Sequence, residues 1–434
     1  MKSKFPFALL LSLLFFCSHI VASKKTIVFV PLDERYATRG LWLNLVRLAQ
    51  GQYDVKTPPL DLICRRKVPG NIPMLQNWLT EHVPASHSVV LSFEQLVYGG
   101  LIASRTGNES LSIIEERLGW LVSLRRQHAR TKFYLSTTVM RIPSYNGDFE
   151  EPWYWKFFGT KLYQYSFYLG RYEALGNASD LEIADEYKSE IPAAVVRKFL
   201  WRRERNFNVT TTLFELQKEY NSLFDALYLT LDDSGRYGLN VVEAQSLQNL
   251  SKALNLNPEI VRIYPGADEV QSCLLSKLIV TDAKIAPKIT VLWRMANATK
   301  LIPNYENQPI QVTVEEQLGA CGGTVVSSND ADIVFAVNNF DSYPQLESSQ
   351  QAANPAEDYH IFFQNVRSFC EKGNAIVGFA DVRYSNGGDL SFSKYILNLL
   401  QQGSKNANKC ISAGLFGYAG WNTDGNTLGT VAAN

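Results

Sequence analysis

Short apolar runs alternate with segments of helical periodicity along nearly the whole chain, and this alternation limits the possible folds more than any other feature. Helical spacing is clear at Leu41–Ala49, Ser110–Arg125 and Phe392–Gln401. The pattern predicts parallel strands joined by crossover helices, and 46% hydrophobic residues in a chain of 434 can fill the core of such an α/β fold. The predicted strands are Thr26–Val30, Ser88–Ser92, Lys132–Thr137, Ala226–Leu231, Ile260–Tyr264, Ile289–Trp293, Asp332–Val337, Ala375–Ala380 and Ser412–Tyr418.

Polar side chains gather directly after most of these strands. Because the carboxyl ends of parallel strands form the site in α/β folds, the residues after them are expected to share one rim. We therefore predict a (β/α)8-barrel-like catalytic domain over residues 24–434. The alternative is two doubly wound lobes that meet near residue 285, with a cleft between them. Residues 146–225 show no strand pattern but are rich in aromatic residues, which predicts a helical insertion after the third strand.

The N-terminus has the pattern of a secretory signal: a charged start, an apolar centre from Phe5 to Phe16 and small residues up to Ser23. We expect residues 1–23 to be removed and the remainder to be secreted, without a membrane span, and an uncleaved anchor is the alternative. Loss of Cys17 would leave five cysteines, enough for at most two disulfides. Sequons for N-glycosylation begin at Asn108, Asn177, Asn208, Asn249 and Asn297.

Charge and motif content exclude several classes of function. Lys+Arg and Asp+Glu each total 42, so no basic field for nucleic acid is expected. The five histidines lie away from the strand ends, which argues against a Ser-His-Asp triad or a His-rich zinc site. Neither GxGxxG after the first strand nor a P-loop is present, and no cofactor is expected. Carboxylates, arginines, amides and aromatic rings remain, the side chains that sugar-processing sites combine.

The adjacent acids Asp232 and Asp233 follow the fourth predicted strand and are the candidate catalytic pair. Two carboxyl groups can divide acid and base work when their surroundings separate their pKa values. A plain turn is the competing interpretation, since Asp often hydrogen-bonds its local backbone. The hypothesis requires both side chains to reach an open, aromatic-walled hollow. Burial against arginine with no cavity would contradict it.

The other candidates are substrate-binding residues from the remaining strand ends. Asp268 has the competing role of capping the next helix, and Arg35 that of a structural ion pair with the acids beside it. Arg105, Arg141, Arg294 and Arg383 would either neutralise the acids or bind an anionic substituent. Trp421 is the candidate floor of a sugar pocket. The full set is Asp33, Arg35, Glu94, Arg141, Tyr145, Asn146, Tyr237, Asp268, Glu269, Asp381, Tyr384, Asn386, Trp421 and Asn422.

Nine motifs together resemble the bacterial family known as domain of unknown function 4127. They are PLDER at Pro31, VYGGLIASR at Val97, MRIPSYN at Met140, EEPWYW at Glu150, RRERN at Arg202, DDSGRYGL at Asp232, YPGADEV at Tyr264, ADVRYSNGGD at Ala380 and YAGWNTDGNTLGT at Tyr418. The resemblance covers nearly the whole mature chain but implies no activity. A looser similarity links the Asp-Asp pair to barrel N-acetylhexosaminidases that use substrate assistance. It implies that Asp232 orients the acetamido group and that Asp233 acts as acid and base.

The sequence thus predicts a secreted glycoside hydrolase that uses paired carboxylates on a carbohydrate or glycoconjugate, and the looser similarity implies substrate assistance on an N-acetylhexosaminide. One alternative is a metal-assisted hydrolase that uses Asp33, Asp232, Asp233, Asp381 and Asp389 as ligands. The other is a carbohydrate-binding protein without catalytic activity.

Overall fold

The strands form two separate parallel sheets. The computed structural model describes residues 24–49, 51–221, 223–327, 331–351, 359–372, 376–401 and 416–434. The predicted signal segment and Cys410 lie outside these residues, as does the side chain of Cys370. We call residues 24–283 the first lobe and residues 288–434 the second lobe, because each range carries one of the sheets.

The sheet of the first lobe has six strands in the order β2-β1-β3-β4-β5-β6. They are β1 Lys25–Val30, β2 Tyr53–Lys56, β3 Ser88–Ser92, β4 Lys132–Val139, β5 Ala226–Leu231 and β6 Val261–Pro265. The helices of this lobe are α1 Tyr36–Arg39, α2 Trp42–Leu48, α3 Ile72–His82, α4 Phe93–Val97, α5 Leu101–Thr106, α6 Leu111–Gln127, α7 Trp155–Leu175, α8 Ala178–Ser189, α9 Ala193–Glu219, α10 Leu239–Ala253 and α11 Val270–Ala283.

The sheet of the second lobe has five strands in the order β11-β10-β9-β7-β8. They are β7 Lys288–Trp293, β8 Thr324–Val325, β9 Ile333–Asn339, β10 Ile376–Val382 and β11 Phe416–Ala419. Its helices are α12 Ile310–Ala320, α13 His360–Lys372, α14 Leu390–Gln401 and α15 Asp424–Ala433. Short 3-10 turns span Val83–Ala85, Ala296–Ala298 and Ser348–Gln350.

The α/β class predicted from the sequence is confirmed, but the single barrel is wrong. A barrel would need the strands to close into one ring, whereas here β6 and β7 belong to different sheets. The two-lobe alternative fits this topology. Both sheets are covered on both faces, as parallel sheets require. In β1, for example, Val28 and Val30 pack in one apolar cluster, and Ile27 and Phe29 in another.

Three helices, α7 to α9, occupy the region predicted to be a helical insertion. They lie between β4 and β5, so the insertion follows the fourth strand of the chain, because β2 escaped prediction. Trp155, Leu162, Tyr165 and Ala184 belong to an apolar cluster of their own. The aromatic residues of this segment therefore mainly build its core, while a few reach the site described below.

Helix α15 joins the two lobes, since it contacts α11 of the first lobe and β10 of the second. Gln317 on α12 strengthens this junction: its amide donates to Glu269 Oε1 at 2.8 Å and to the carbonyl of Gly425 at 3.3 Å. Cys273 and Cys321 lie at the same junction and, like Cys64, are buried free thiols. No helix in the described part of the chain is long and apolar enough to pass through a bilayer.

Candidate active site

A polar cavity of about 400 Å3 lies where the carboxyl edge of the first sheet meets loops of the second lobe. Seven of the residues predicted from the sequence line it: Asp33, Arg35, Arg141, Asp232, Asp233, Asp268 and Asn422. Glu34, Arg66, Arg105, Glu150, Tyr305, Glu306 and Asn426 also contribute to its wall. The cavity therefore depends on both lobes.

The twin aspartates both face this cavity because the chain changes conformation between them. Strand β5 is buried throughout, and the N–H of Asp232 still donates to the carbonyl of Val139 on β4 at 3.3 Å. At Asp233 the backbone leaves the strand, with φ of 34°. Successive side chains of a regular strand would point to opposite faces, so this turn is what brings the second carboxyl group to the same side.

Each aspartate is bound by its own arginine, but their exposures differ. Asp232 forms an ion pair with Arg105, and the two side chains are 5% and 2% exposed. Asp233 accepts a hydrogen bond from Arg141 at 2.8 Å, yet its side chain is 31% exposed. Only Oδ2 of Asp233 has a hydrogen-bond partner among the described residues. The pair is therefore held by arginine and still opens into a cavity, with Asp233 as the accessible member.

Glu150 and Glu151 complete the network around the two arginines. Arg141 Nε lies 2.9 Å from Glu151 and its Nη2 lies 2.8 Å from Glu150. Arg105 Nη1 is 3.4 Å from Glu150 and 3.6 Å from Glu151. Both guanidinium groups are thus surrounded by carboxylates, which supports a neutralising role for them rather than recognition of an anion.

Arg35 connects the end of β1 to the loop after β6, although three strands lie between them. Its guanidinium binds both oxygens of Asp268, at 3.0 and 2.5 Å, and its Nε donates to Asp33 at 2.8 Å. The helix-capping role considered for Asp268 is wrong: α11 begins at Val270 and has no side-chain cap. Asp268 instead helps to close the carboxyl edge of the first sheet.

Burial raises the proton affinity of several carboxyl groups here. It raises the pKa of Asp233, and the neighbouring charge of Asp232 adds to this, against the attraction of Arg141. Burial also raises the pKa of Asp268 to about 7 despite Arg35, and that of Glu306 to about 8 despite a hydrogen bond from Thr313. The cavity thus holds carboxyl groups that can carry a proton near neutral pH, a condition for general acid catalysis.

Four of the eight residues other than glycine with positive φ in the described chain line the cavity, and one of them is Arg66, with φ of 51°. Asp233, Tyr305 and Asn422 have φ of 34°, 65° and 50°, in the left-handed region that residues other than glycine rarely adopt. Each such residue costs on the order of 1 kcal/mol or more, and such strain typically collects at functional sites. All three side chains line the cavity.

Two predicted site residues of the first lobe are buried beside the cavity but do not line it. Glu94 accepts hydrogen bonds from Thr137 Oγ1 and the N–H of Thr138, so it joins the end of β3 to β4. Glu269 accepts from Gln317 and the N–H of Ala267. Both are satisfied by protein groups at the junctions where they lie, which corrects their assignment to substrate contact.

Asp381 and Tyr384, at and just after the end of β10 in the second sheet, do not reach the cavity either. Asp381 is buried and accepts from Asn338, Tyr418 and the N–H of Asp389, each at 2.8 Å. The ring of Tyr384 lies under the guanidinium of Arg383. The prediction of one shared rim is therefore wrong for the end of β10, whereas Asn422 after β11 does line the cavity.

Three further candidates serve as supports. Asn386 donates to Tyr305 Oη at 3.2 Å and to Glu347 at 2.7 Å, so it positions a cavity residue without lining the cavity itself. The indole N–H of Trp421 donates to Thr430 at 3.2 Å. Trp421 does not line the cavity, so its predicted role as the floor of a sugar pocket is wrong. Asn146 accepts from the N–H of Thr160 in α7.

The remaining candidates, Tyr145 and Tyr237, line a groove that adjoins the cavity. Several cavity residues were missed by sequence reasoning. Glu150 belongs to a conspicuous acidic pair, and this pair could have been recognised. Tyr305 and Glu306 lie twelve or more residues after β7, in a loop with no distinguishing composition.

The acids proposed as metal ligands do not converge. Asp33, Asp232 and Asp233 line the cavity, whereas Asp381 and Asp389 are buried at the edge of the second sheet. Within the described ranges, no three His, Cys, Asp or Glu side chains are arranged as ligands of one metal ion. The metal-assisted alternative thus gains no support from side-chain geometry.

The fold and the cavity together define a two-lobed α/β protein with a charged site between its lobes. The chain belongs to the family described as protein of unknown function, DUF4127, whose model matches residues 27–434. No curated protein and no solved structure matches the chain. Membership of this family confirms the resemblance seen in the motifs. The looser similarity to N-acetylhexosaminidases is not supported by these comparisons and stays a hypothesis.

Proposed function

We propose that the protein is a glycoside hydrolase whose acid and base is Asp233. The observation that carries the proposal is the asymmetry of the twin aspartates within one polar cavity. Asp232 is buried and paired with Arg105, whereas Asp233 is partly exposed, has a raised pKa and keeps one oxygen without a partner among the described residues. Two neighbouring carboxyl groups in different surroundings can divide the work of glycoside hydrolysis between them.

On an N-acetylhexosaminide, the two residues would act in sequence. Asp233 donates its proton to the glycosidic oxygen as the bond from this oxygen to C1 breaks, and the acetamido oxygen, oriented by Asp232, bonds to C1. A water molecule then attacks C1, gives one proton to Asp233 and releases the acetamido oxygen. The net reaction is addition of water across the glycosidic bond, and Asp233 regains its starting state.

The balance of charges favours a neutral or cationic sugar over an anionic one. The cavity is lined by seven carboxyl groups and four guanidinium groups. Arg35, Arg105 and Arg141 are each bound to carboxylates already. An anionic substituent would have to displace an existing ion pair at each of these three, and only Arg66, which lies over the ring of Phe149, has no ion pair among the described residues. The proposal also includes secretion, which rests on the sequence of residues 1–23 alone.

The test is turnover of a panel of chromogenic glycosides, starting with N-acetylhexosaminides, by the wild type and by Asp233→Asn. Asparagine tolerates the left-handed backbone at this position, so the variant should fold. Loss of the acid should lower kcat/KM for 4-nitrophenyl glycosides by roughly 10²- to 10⁴-fold. The loss should be smaller for 2,4-dinitrophenyl glycosides, whose leaving group departs without protonation.

The matched control is Asp148→Asn, since Asp148 is an exposed acid close to the cavity that does not line it. Its kinetics should equal those of the wild type. Turnover of no glycoside in the panel, combined with binding of the intact sugar, would favour a carbohydrate-binding protein. An active Asp233→Asn enzyme with unchanged kinetics on both leaving groups would remove Asp233 from the mechanism.

A further inference from the structure

A second, larger hollow of about 680 Å3 adjoins the cavity. We call it the aromatic groove, because the rings that line it are Tyr145, Tyr163, Phe167, Tyr237, Tyr305 and Tyr343. The rings come from three parts of the chain: loops after β4 and β5, helix α7, and loops of the second lobe. Groove and cavity are therefore both bounded by the two lobes.

The rings present accessible surface rather than packing away from solvent. Tyr145, Tyr305 and Tyr343 are 44%, 37% and 66% exposed. Phe167 and Tyr237 are half-buried and support each other edge to face, with centroids 5.7 Å apart. Large exposed aromatic surface in a concave site is typical of ligand binding.

The two hollows are continuous at the candidate catalytic residue. Arg141, Asp233, Tyr305 and Glu306 line both of them. Their linings differ in character, since carboxylates and arginines dominate the cavity whereas rings dominate the groove. A bond held at Asp233 would therefore have one of its sides in the charged cavity and the other side against aromatic rings.

We infer that the substrate is an oligosaccharide that occupies both hollows. Its terminal sugar lies in the cavity, with its hydroxyls among the carboxylates and amides, and the next units lie in the aromatic groove, where rings cover their apolar faces. The glycosidic bond between the first two units then lies at Asp233, which protonates its oxygen as described above. This inference rests on the proposed function and adds the length and orientation of the substrate.

The test compares substrates of different length. The probes are the 4-nitrophenyl glycoside and the β-linked di-, tri- and tetrasaccharides of N-acetylglucosamine, together with those of any other sugar that the panel shows to be turned over. For the full chain, kcat/KM should rise at least tenfold from the disaccharide to the tetrasaccharide, which share a sugar as the leaving group. Tyr237→Ala should remove this gain, so that the tetrasaccharide is turned over no faster than the disaccharide.

Two variants guard against effects on folding. Tyr343→Ala removes a mostly exposed ring from the opposite wall and should reduce the same gain. Phe157→Ala removes a ring that is 58% exposed on α7 and lines neither hollow, so it should behave as the wild type. Binding of the tetrasaccharide to Asp233→Asn is measured by calorimetry in parallel, and Tyr237→Ala added to that variant should weaken it.

The outcomes separate the two proposals. Turnover of monoglycosides with neither a gain from length nor an effect of Tyr237→Ala would overturn the aromatic groove as a subsite and leave the hydrolase standing. Tetrasaccharide binding that depends on Tyr237, without turnover of any probe, would support the groove and overturn the hydrolase. Neither turnover nor binding of any probe would overturn both.

Discussion

The carboxyl edges of the two sheets carry the same residue types in different surroundings. At the first sheet, Asp232 and Asp233 meet arginines at the wall of a cavity. At the second sheet, Asp381 and Asp389 are buried, and their bonds go to neighbouring protein groups. An acid at a strand end therefore marks a site only where the edge also borders an open volume.

The largest expected difference between the two edges is the loss of stability when the arginine at each edge is replaced. Arg105→Met leaves Asp232 buried without its counter-ion and should lower the free energy of unfolding by about 3–5 kcal/mol. Arg383→Met removes a cation from Asp389, but the hydroxyl of Tyr359 and the N–H of Ser391 still donate to it, so about 1–2 kcal/mol is expected.

Urea denaturation monitored by circular dichroism measures the loss in the free energy of unfolding for both variants. If Arg105→Met does not fold, Arg105→Lys is measured in its place. Lysine keeps the charge but lacks the planar guanidinium, so the free energy of unfolding should fall by less than in the methionine variant. Equal losses of stability at the two edges would contradict the proposed difference between them.

A second prediction concerns how stability depends on pH at the carboxyl edge of the second sheet, where Asp381 lies. Burial raises the pKa of Asp381 to about 7, although three hydrogen bonds oppose the shift. A carboxyl group whose pKa is raised on folding contributes stability below its unfolded pKa and loses it as pH rises through the folded pKa. The wild type should therefore lose on the order of 2–4 kcal/mol relative to Asp381→Asn between pH 4 and pH 7. Denaturation midpoints measured across this range check the trend, and parallel pH profiles would refute it.

The smallest effect is expected at the opposite, amino edge of the first sheet. Asp282 on α11 contacts Lys25, Lys132 and His87; burial opposes ionisation, but these partners hold its pKa below the ordinary value. Its contribution is thus present at neutral pH and lost as pH falls through the folded pKa. Asp282→Asn should cost about 1 kcal/mol at pH 7, because the lysines are partly exposed. The difference should vanish in acid, and an undiminished difference there would argue against an ionic cause.

Much of the local structure follows from the sequence, because periodicity and β-branched content are local properties. All nine predicted strands have counterparts in the described chain, although residues 412–415 of the ninth prediction lie outside it. The missed strands are short and polar: β2 contains Asp54 and Lys56, and β8 has two residues. Closure into a barrel, by contrast, depends on which strands pair, and strand pairing leaves no local signal.

The candidate site likewise contains some residues that a local sequence pattern predicts and others that only the tertiary structure brings together. The twin aspartates were recognisable because they interrupt an apolar run at its end. Asp381 also follows a buried strand, yet it is bound by neighbouring protein groups and does not line the cavity. Tyr305 and Glu306 follow no strand directly. They reach the cavity through contact between the lobes, such as the bond from the N–H of Ser234 to the carbonyl of Tyr305 at 3.0 Å.

The wall of the cavity extends in sequence from Asp33 to Asn426, and this has a consequence for biosynthesis. While the ribosome is still making the second lobe, we expect the acids at the edge of the first sheet to be hydrated. Docking of α15 and the loop around Tyr305 removes that water. We therefore expect uptake of protons by Asp233 and Asp268 to accompany docking of the second lobe, so that a nascent chain acquires its chemistry only after α15 has been translated.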